Sequence, residues 1–414
     1  MKLVLPDSEI FLIQQIWGEL PQKVGPESAL TERSYVQLDW DTRDSAREFA
    51  YICNPDGSIR WLFPKDQAYP VHLALYNSAH WKARAYKLAT HLAFKLKQQG
   101  RLHSGEIWLG DFQQSELYQM IDEVPHDGLA IFTGTVGENR KAIVAINQGK
   151  QTTHFLKVPL GPASRNNVAN EAEILNQIAS LDLQVLQVPT VKTWPRRDSV
   201  LLSNVKPKEG REGNRLSVTH LKALREFYDA TRRSAKLGHL PYYREIQQNL
   251  LQIGRLEISD QSLDHHQILR IFKALDREYR RLTPDEQITV AWAHGDFTSW
   301  NMYQTEEALY VYDWELAQPD MPILYDAFHY LYQTGILLLK QSKRQLEKEL
   351  LRAQRLPGMG DLLRDYQLSF DSQHRLYLVH LISYYLRIYM DEPSVHMQVQ
   401  WLLDAWEHAL TQLS

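Results

Sequence analysis

The chain has 414 residues, 44% of them hydrophobic and 23% charged, with 46 Lys and Arg against 50 Asp and Glu for a formal net charge of -4. A chain of this length builds two or three domains with well-developed cores, and its near balance of charge leaves no global basic footprint for nucleic acid. The single cysteine, Cys53, excludes an intramolecular disulfide and fits a reducing compartment.

The apolar run Leu3-Val4-Leu5 is interrupted by Pro6-Asp7-Ser8-Glu9 before Ile10-Phe11-Leu12-Ile13. It therefore has neither the basic n-region nor the continuous h-region of a secretion signal. Gly335-Ile336-Leu337-Leu338-Leu339 falls far short of the ~20 apolar residues that span a bilayer. The expectation is a cytoplasmic protein with no membrane partner and no nucleic-acid partner.

Residues 1–127 are too rich in aromatic and aliphatic side chains for a disordered tail. Glu48-Phe49-Ala50-Tyr51-Ile52-Cys53 and Ser58-Ile59-Arg60-Trp61-Leu62-Phe63 flank the turn-forming Asn54-Pro55-Asp56-Gly57, which predicts a β-hairpin. Residues 83–98 read as a helix in which Ala85, Leu88, Leu92 and Ala93 recur at helical spacing, with Gly100 as its stop. The result is a mixed α+β module without a catalytic constellation. His72, His80, His91 and His103 lack the spacing of a metal site, and Trp61, Trp81 and Trp108 are read as packing.

From Gly128 the pattern changes to Leu129-Ala130-Ile131-Phe132, then Thr133-Gly134-Thr135-Val136-Gly137-Glu138-Asn139, then Ala142-Ile143-Val144-Ala145-Ile146. This is strand, glycine-containing turn, strand. Backbone amides of such a loop can cover phosphates, since Gly134 and Gly137 let the chain approach closely. Thr153-His154-Phe155-Leu156-Lys157-Val158 is a third strand, with a lysine where lysine is disfavoured. A helix follows over 167–178, with Val168, Ile174, Leu175 and Ile178 as its apolar face and both Glu171 and Glu173 in its course. Further helices are predicted over Ser217 to Arg233 and His266 to Leu282.

The most informative stretch is His294-Gly295-Asp296-Phe297-Thr298-Ser299-Trp300-Asn301, followed by Asp313-Trp314-Glu315. Phosphoryl transfer needs a carboxylate near the acceptor hydroxyl and oxygen ligands for the Mg²⁺ that bridges the phosphates. Asp296, Asn301 and Asp313 have those chemistries. Met302-Tyr303 and Tyr310-Val311-Tyr312 read as the strands of a hairpin, and a hairpin centred on Glu307 places Asn301 opposite Asp313.

An Asp followed five residues later by Asn, then by an Asp after the next strand, resembles the protein-kinase pattern. His294-Gly295-Asp296 and Asp313-Trp314-Glu315 resemble the variant found in the aminoglycoside phosphotransferase and choline kinase-like family of small-molecule kinases. That resemblance covers residues 128–414 and implies an α+β, bilobal protein-kinase-like fold. It divides the chain into the α+β module at 1–127, an antiparallel-sheet nucleotide-binding lobe at 128–207, and a mostly helical lobe at 208–414. It implies Asp296 as catalytic base, Asn301 and Asp313 as Mg²⁺ ligands, Gly134 and Gly137 over the phosphates, and Lys157 on the α- and β-phosphates. Glu171 falls at the family position for the partner of Lys157, with Glu173 as the alternative. ATP is the expected nucleotide.

Within the same resemblance, Val200-Leu201-Leu202 is the edge strand next to adenine and Ser203 to Pro207 the hinge. Asp326 opens a helix through Phe328, Leu331 and Ile336, and is read as structural, accepting backbone N–H bonds. Tyr377, Tyr384, Tyr385, Tyr389, Trp401 and Trp406 form an aromatic stripe in the last hundred residues, read mainly as core. The expected activity is transfer of the γ-phosphoryl group to a hydroxyl of a small molecule: an amino alcohol, sugar or amino sugar. The alternatives are a nucleotide-binding pseudokinase or regulatory module whose N-terminal domain carries the function and a protein-serine kinase, against which His294-Gly295 in place of His-Arg argues.

Overall fold

The computed structural model describes residues 7–18, 47–75, 81–109, 112–260, 262–392 and 394–413. The chain divides into two compact units, one of Met1–Gln177 with Pro189–Asn204, the other of Ile178–Val188 with Val205–Ser414.

The first unit is built on an antiparallel sheet. Its strands are β1 (Arg47–Cys53), β2 (Ile59–Pro64), β3 (Gly105–Leu109), β4 (Gly128–Phe132), β5 (Lys141–Gln148) and β6 (Gln151–Pro159). After β7 (Leu186–Gln187), which belongs to the second unit, β8 (Val191–Trp194) and β9 (Ser199–Ser203) complete it, in the order β3-β1-β2-β4-β5-β6-β9-β8. The helices of this unit are α1 (Asp7–Trp17), α2 (Trp81–Lys95), α3 (Glu116–Ile121) and α4 (Pro162–Ile178).

The β1–β2 hairpin forms at the expected turn. Asn54 N–H donates to the Ser58 carbonyl at 2.8 Å, and Gly57 has a φ of 90°. Beyond it the sheet departs from the expected division at residue 127. β2 pairs with β4 through Trp61↔Phe132 and Leu62↔Ile131, so strands from both sides of that boundary share one ladder. Residues 1–127 therefore do not make a compact unit of their own. Strand alternation sorts the side chains onto two faces. Phe49, Tyr51, Leu62, Leu129, Ile131, Val144 and Ile146 join Ile13, Ile16 and Trp17 of α1 and Leu117 and Ile121 of α3 in one core. Ala50, Trp61, Phe63, Ala130 and Ala145 form a second cluster with Val71 and Phe94.

Several local expectations for this unit change. Trp61 is core, its ring 4.9 Å from that of Phe132 and tilted by 40°, while the side chains of Trp81 and Trp108 and all of His80 lie outside the described residues. Helix α2 does not bury the leucines that recur at helical spacing: Thr90 and Phe94 are buried, whereas Leu88 and Leu92 are exposed. The bulky ring of Phe94 takes the inward position, because the small Ala50, Ala130 and Ala145 leave room for it on that sheet face. The helix ends through Lys97 in the left-handed region (φ 55°) rather than at Gly100. Strand β9 is interior, between β6 and β8, so the edge role falls to Val191–Trp194.

The second unit is mostly helical, with α5 (Val218–Thr231), α6 (Pro241–Ile253), α7 (His265–Arg280), α8 (Tyr325–His329), α9 (Lys343–Gln354), α10 (Met359–Asp365), α11 (Phe370–Asp391) and α12 (Met397–Gln412). Two small sheets interrupt them: β10 (Arg233–Lys236), β11 (Gln287–Ala293) and β14 (Gln318–Pro322) in one, β12 (Met302–Gln304), β13 (Leu309–Val311) and β7 in the other. The sheet-built first unit and helical second unit match the α+β class expected from the sequence. Among the described residues no helix is long and apolar enough to cross a membrane.

Buried histidines in the second unit make its stability depend on pH. Burial lowers His220 and His374 to about 3, and His374 Nε2 lies 2.8 Å from the Tyr332 hydroxyl. A histidine neutral when folded and protonated when unfolded contributes stability that is complete above its unfolded pKa. That stability is lost as pH falls from there toward the folded value. Between pH ~6.5 and pH ~5.5 each of these two residues is expected to remove roughly 1 kcal/mol from the unfolding free energy. Denaturant titrations at the two pH values check this, and an unchanged midpoint would refute it.

Candidate active site

The site in the second unit begins with the β12–β13 hairpin. Its register is Met302↔Val311, Tyr303↔Tyr310 and Gln304↔Leu309, closed by Thr305 N–H donating to the Ala308 carbonyl at 3.0 Å. This register is one residue away from the expected one. Asn301 faces Tyr312, whose N–H donates to the Asn301 carbonyl at 3.0 Å, and Asp313 is the next residue on. Asp313 leaves the strand in the left-handed region (φ 70°, ψ 56°) and begins the short turn Trp314–Leu316. A non-glycine residue held there costs about 1 kcal/mol or more, and such positions concentrate at functional sites.

The loop carrying Asp296 is held from three directions. Asn301 Nδ2 donates to the Asp296 carbonyl at 3.1 Å and to its Oδ2 at 2.8 Å. With the amide nitrogen committed to two acceptors, the Asn301 Oδ1 is the atom left for a cation. His294 is buried and stands between this loop and the strand before Asp313. Asp296 N–H donates to His294 Nδ1 at 3.2 Å, and His294 Nε2 donates to the Tyr312 carbonyl at 3.1 Å. Those partners require the neutral ring protonated on Nε2, in keeping with the downward shift that burial gives this histidine.

Asp326 supplies the third support. Its carboxylate is buried and accepts His294 N–H at 2.7 Å and Gly295 N–H at 3.1 Å, the structural role expected of it. Burial raises its pKa, while His294 and the two backbone donors act the other way. Tertiary contact also explains the glycine after His294. Gly295 has a φ of 81°, and a Cβ there would sit 2.2 Å from the Leu316 carbonyl oxygen. Gly295→Ala is expected to cost at least about 2 kcal/mol in denaturant unfolding, because the left-handed strain and the backbone clash add. An alanine variant as stable as the parent would contradict this geometry.

One neighbour of Asp296 was not anticipated from the sequence. His329, at the end of α8 and 2% exposed, places Nε2 3.3 Å from Asp296 Oδ1. It also lines a small cleft of about 70 Å³ with Glu245, His380, Tyr325, Tyr384 and Tyr385. Glu245 accepts from His380 Nε2 at 3.2 Å, and that bond lowers its pKa despite partial burial. The Tyr325 hydroxyl lies 3.0 Å from His380 Nδ1, and Tyr242 stacks on the same imidazole at 4.8 Å. The available sequence signal was Glu245 on the inward face of α6, in line with buried Tyr242 and Asn249. The aromatic stripe divides between two roles. Tyr377 and Trp406 are fully buried core, whereas Tyr384 and Tyr385 border the cleft, and the charge of Asp296 contributes to the raised pKa of Tyr385.

In the first unit, Lys157 lies on β6 and Glu171 on α4. Lys157 Nζ is 2.8 and 2.7 Å from the two Glu171 carboxylate oxygens, and the residues are 5% and 0% exposed. Glu173, the alternative partner, is exposed. Helix α4 starts earlier than expected, at Pro162, with Ser164 Oγ accepting the Leu160 and Gly161 N–H groups at 3.1 and 3.0 Å. Gly134 and Gly137 occupy the β4–β5 turn. Gly134 has a φ of 80°, and a Cβ there would meet the Lys141 carbonyl at 2.2 Å; Gly137 faces open space.

No protein-family model and no curated protein matches the chain. Among solved structures, it is similar to aminoglycoside phosphotransferase APH(2'')-Ib with ADP bound, at 12% identity and a TM-score of 0.42 over 71% of this chain and 97% of that one. A choline/ethanolamine kinase family protein from Mesorhizobium loti gives 15% identity and 0.39 over 65% and 84%. A choline kinase from Cryptosporidium parvum gives 12% and 0.43 over 68% and 88%. The residue roles below rest on this chain's own chemistry.

Proposed function

We propose that the protein is an ATP- and Mg²⁺-dependent phosphotransferase that transfers the γ-phosphoryl group to a hydroxyl of a small molecule. The observation that carries this reading is the held geometry around Asp296. Its carboxylate is oriented by Asn301 and His329 beside a cleft, while Asn301 keeps an amide oxygen for a cation.

In this reading Asp296 orients the acceptor hydroxyl and takes its proton as the oxygen attacks. Asn301 and Asp313 supply the hard oxygen ligands that suit Mg²⁺, which when bound neutralises charge on the phosphates. Lys157, fixed by Glu171, contacts the nucleotide phosphates, and the backbone around Gly134 and Gly137 covers them. His329 donates to Asp296 and keeps one carboxylate oxygen in place. Glu245 and the Tyr384 and Tyr385 rings favour an acceptor carrying a cation near its hydroxyl, as in an amino alcohol or amino sugar.

An ADP-release screen over amino alcohols, sugars, amino sugars and nucleosides tests the reading. The expected result is acceptor-dependent release that requires Mg²⁺ and is strongest with a cationic acceptor. Nucleotide binding without transfer to any acceptor in the panel would refute it.

A further inference from the structure

Helix α2 carries a surface that the phosphotransfer chemistry does not use. Its inward contact is narrow, with Thr90 and Phe94 buried and the Phe94 ring 6.4 Å from Phe63 and 6.2 Å from His72. Leu88, Leu92 and Leu96 lie on the opposite side, 73%, 54% and 59% exposed. With about 100° between successive residues, these leucines together with Ala85 and Ala89 fill a single arc of about 100°. Leu96 continues the arc past the last helical residue, because its N–H still donates to the Leu92 carbonyl at 2.9 Å. Leucines aligned on one exposed arc form a contiguous apolar stripe, unlike scattered surface leucines, and mark an interaction surface.

Charge identifies the kind of partner. From residue 81 to residue 101 the chain holds Lys82, Arg84, Lys87, Lys95, Lys97 and Arg101, and no Asp or Glu. Arg84, Lys95 and Lys97 are exposed, and on the helical projection Arg84 and Lys95 border one edge of the leucine arc. A second copy of the chain would bring cations against cations, so self-association through this face is disfavoured. The arc is convex, and its leucines and alanines include none of the aromatic anchors or hydrogen-bonding groups that carry most protein–protein contacts. An aliphatic arc bordered by cations is instead what a helix lying in a bilayer interface requires.

We propose that α2 is a peripheral docking surface for an anionic phospholipid bilayer. Leu88, Leu92 and Leu96 enter the boundary between headgroups and acyl chains, and the exposed Arg84, Lys95 and Lys97 face the anionic headgroups. No spanning segment is needed, and the proposal replaces the sequence expectation of no membrane partner.

The test is co-sedimentation of the full-length protein with phosphatidylcholine vesicles and with vesicles in which phosphatidylglycerol is a minor component. At low salt, recovery with the anionic vesicles is expected to exceed that with neutral ones by about tenfold or more, and to fall as salt is raised. Leu88→Gln/Leu92→Gln/Leu96→Gln and Lys95→Glu/Lys97→Glu are each expected to lose most of this binding while keeping the parent's circular dichroism and thermal unfolding. These positions are exposed, so both variants should fold. Wild-type protein left in the supernatant overturns the proposal, as does equal recovery with neutral vesicles. Folded variants that bind like the wild type overturn it too. Retention on immobilised polyglutamate without vesicle binding would also overturn it, in favour of an acidic polypeptide partner.

Discussion

Asp296→Asn is expected to lower turnover by about 10²–10⁴-fold on whichever acceptor the screen identifies, the range that a positioned general base contributes. Nucleotide affinity should be nearly unchanged. Asparagine preserves the volume of the side chain, and its one amide oxygen can still accept from Asn301, which also holds the backbone carbonyl at this position, so the loop geometry survives while the amide nitrogen takes the place of the oxygen that faces His329. It cannot take the acceptor's proton. Steady-state kinetics and nucleotide titration calorimetry on the same variant separate the two effects. Full turnover with Asn at this position would remove Asp296 from the mechanism, whereas loss of nucleotide binding would mean that the loop had rearranged.

The second large effect concerns the buried pair in the first unit. Glu171→Leu removes the carboxylate that holds the Lys157 ammonium, and breaking such a pair from one side is expected to cost roughly 3–5 kcal/mol in unfolding free energy. Lys157→Met removes the cation paired with the buried Glu171 carboxylate and should cost a similar amount. The double variant Lys157→Met/Glu171→Leu removes both charges and should recover most of the loss, since a buried ion pair contributes little net stability over apolar residues of like volume. Nucleotide affinity is expected not to recover with it, because the phosphate-binding ammonium is gone. Denaturant unfolding and nucleotide titration of the three variants check both halves. A double variant that binds nucleotide like the parent would assign the pair a purely structural role.

Much of this architecture was legible along the chain, wherever the cause is local. Asn54-Pro55-Asp56-Gly57 forms its turn because Asn, Pro, Asp and Gly each suit a turn backbone, and the β1–β2 hairpin forms around it. The strand order leading to Lys157, and the four apolar positions of α4, follow from period-two and helical spacing that nearby residues alone impose. Glu171 was separable from Glu173 by its place in the motif, and the fold buries the former while leaving the latter in water.

What stayed hidden depends on partners distant in sequence. The β2–β4 ladder that joins residues 1–127 to the following strands is a long-range pairing, and no local pattern declares which strand comes next in a sheet. Helix α2 shows the same limit. Its leucines and its Thr90-Phe94 side offer two apolar faces, and only the small side chains on the sheet select the second. The register of the catalytic hairpin shifted by one residue because the Thr305–Ala308 closure sets it, placing Asp313 past the strand in a left-handed backbone. His329 meets Asp296, and Glu245 meets His380, only through helix packing. The order of reactive groups along the chain, His294, Asp296, Asn301 and Asp313, is a property of sequence, because motif spacing reflects short-range backbone geometry. Their orientation, the glycine demanded at 295 and the composition of the cleft belong to the tertiary structure, where backbone and side chains far apart in the chain compete for the same few ångströms.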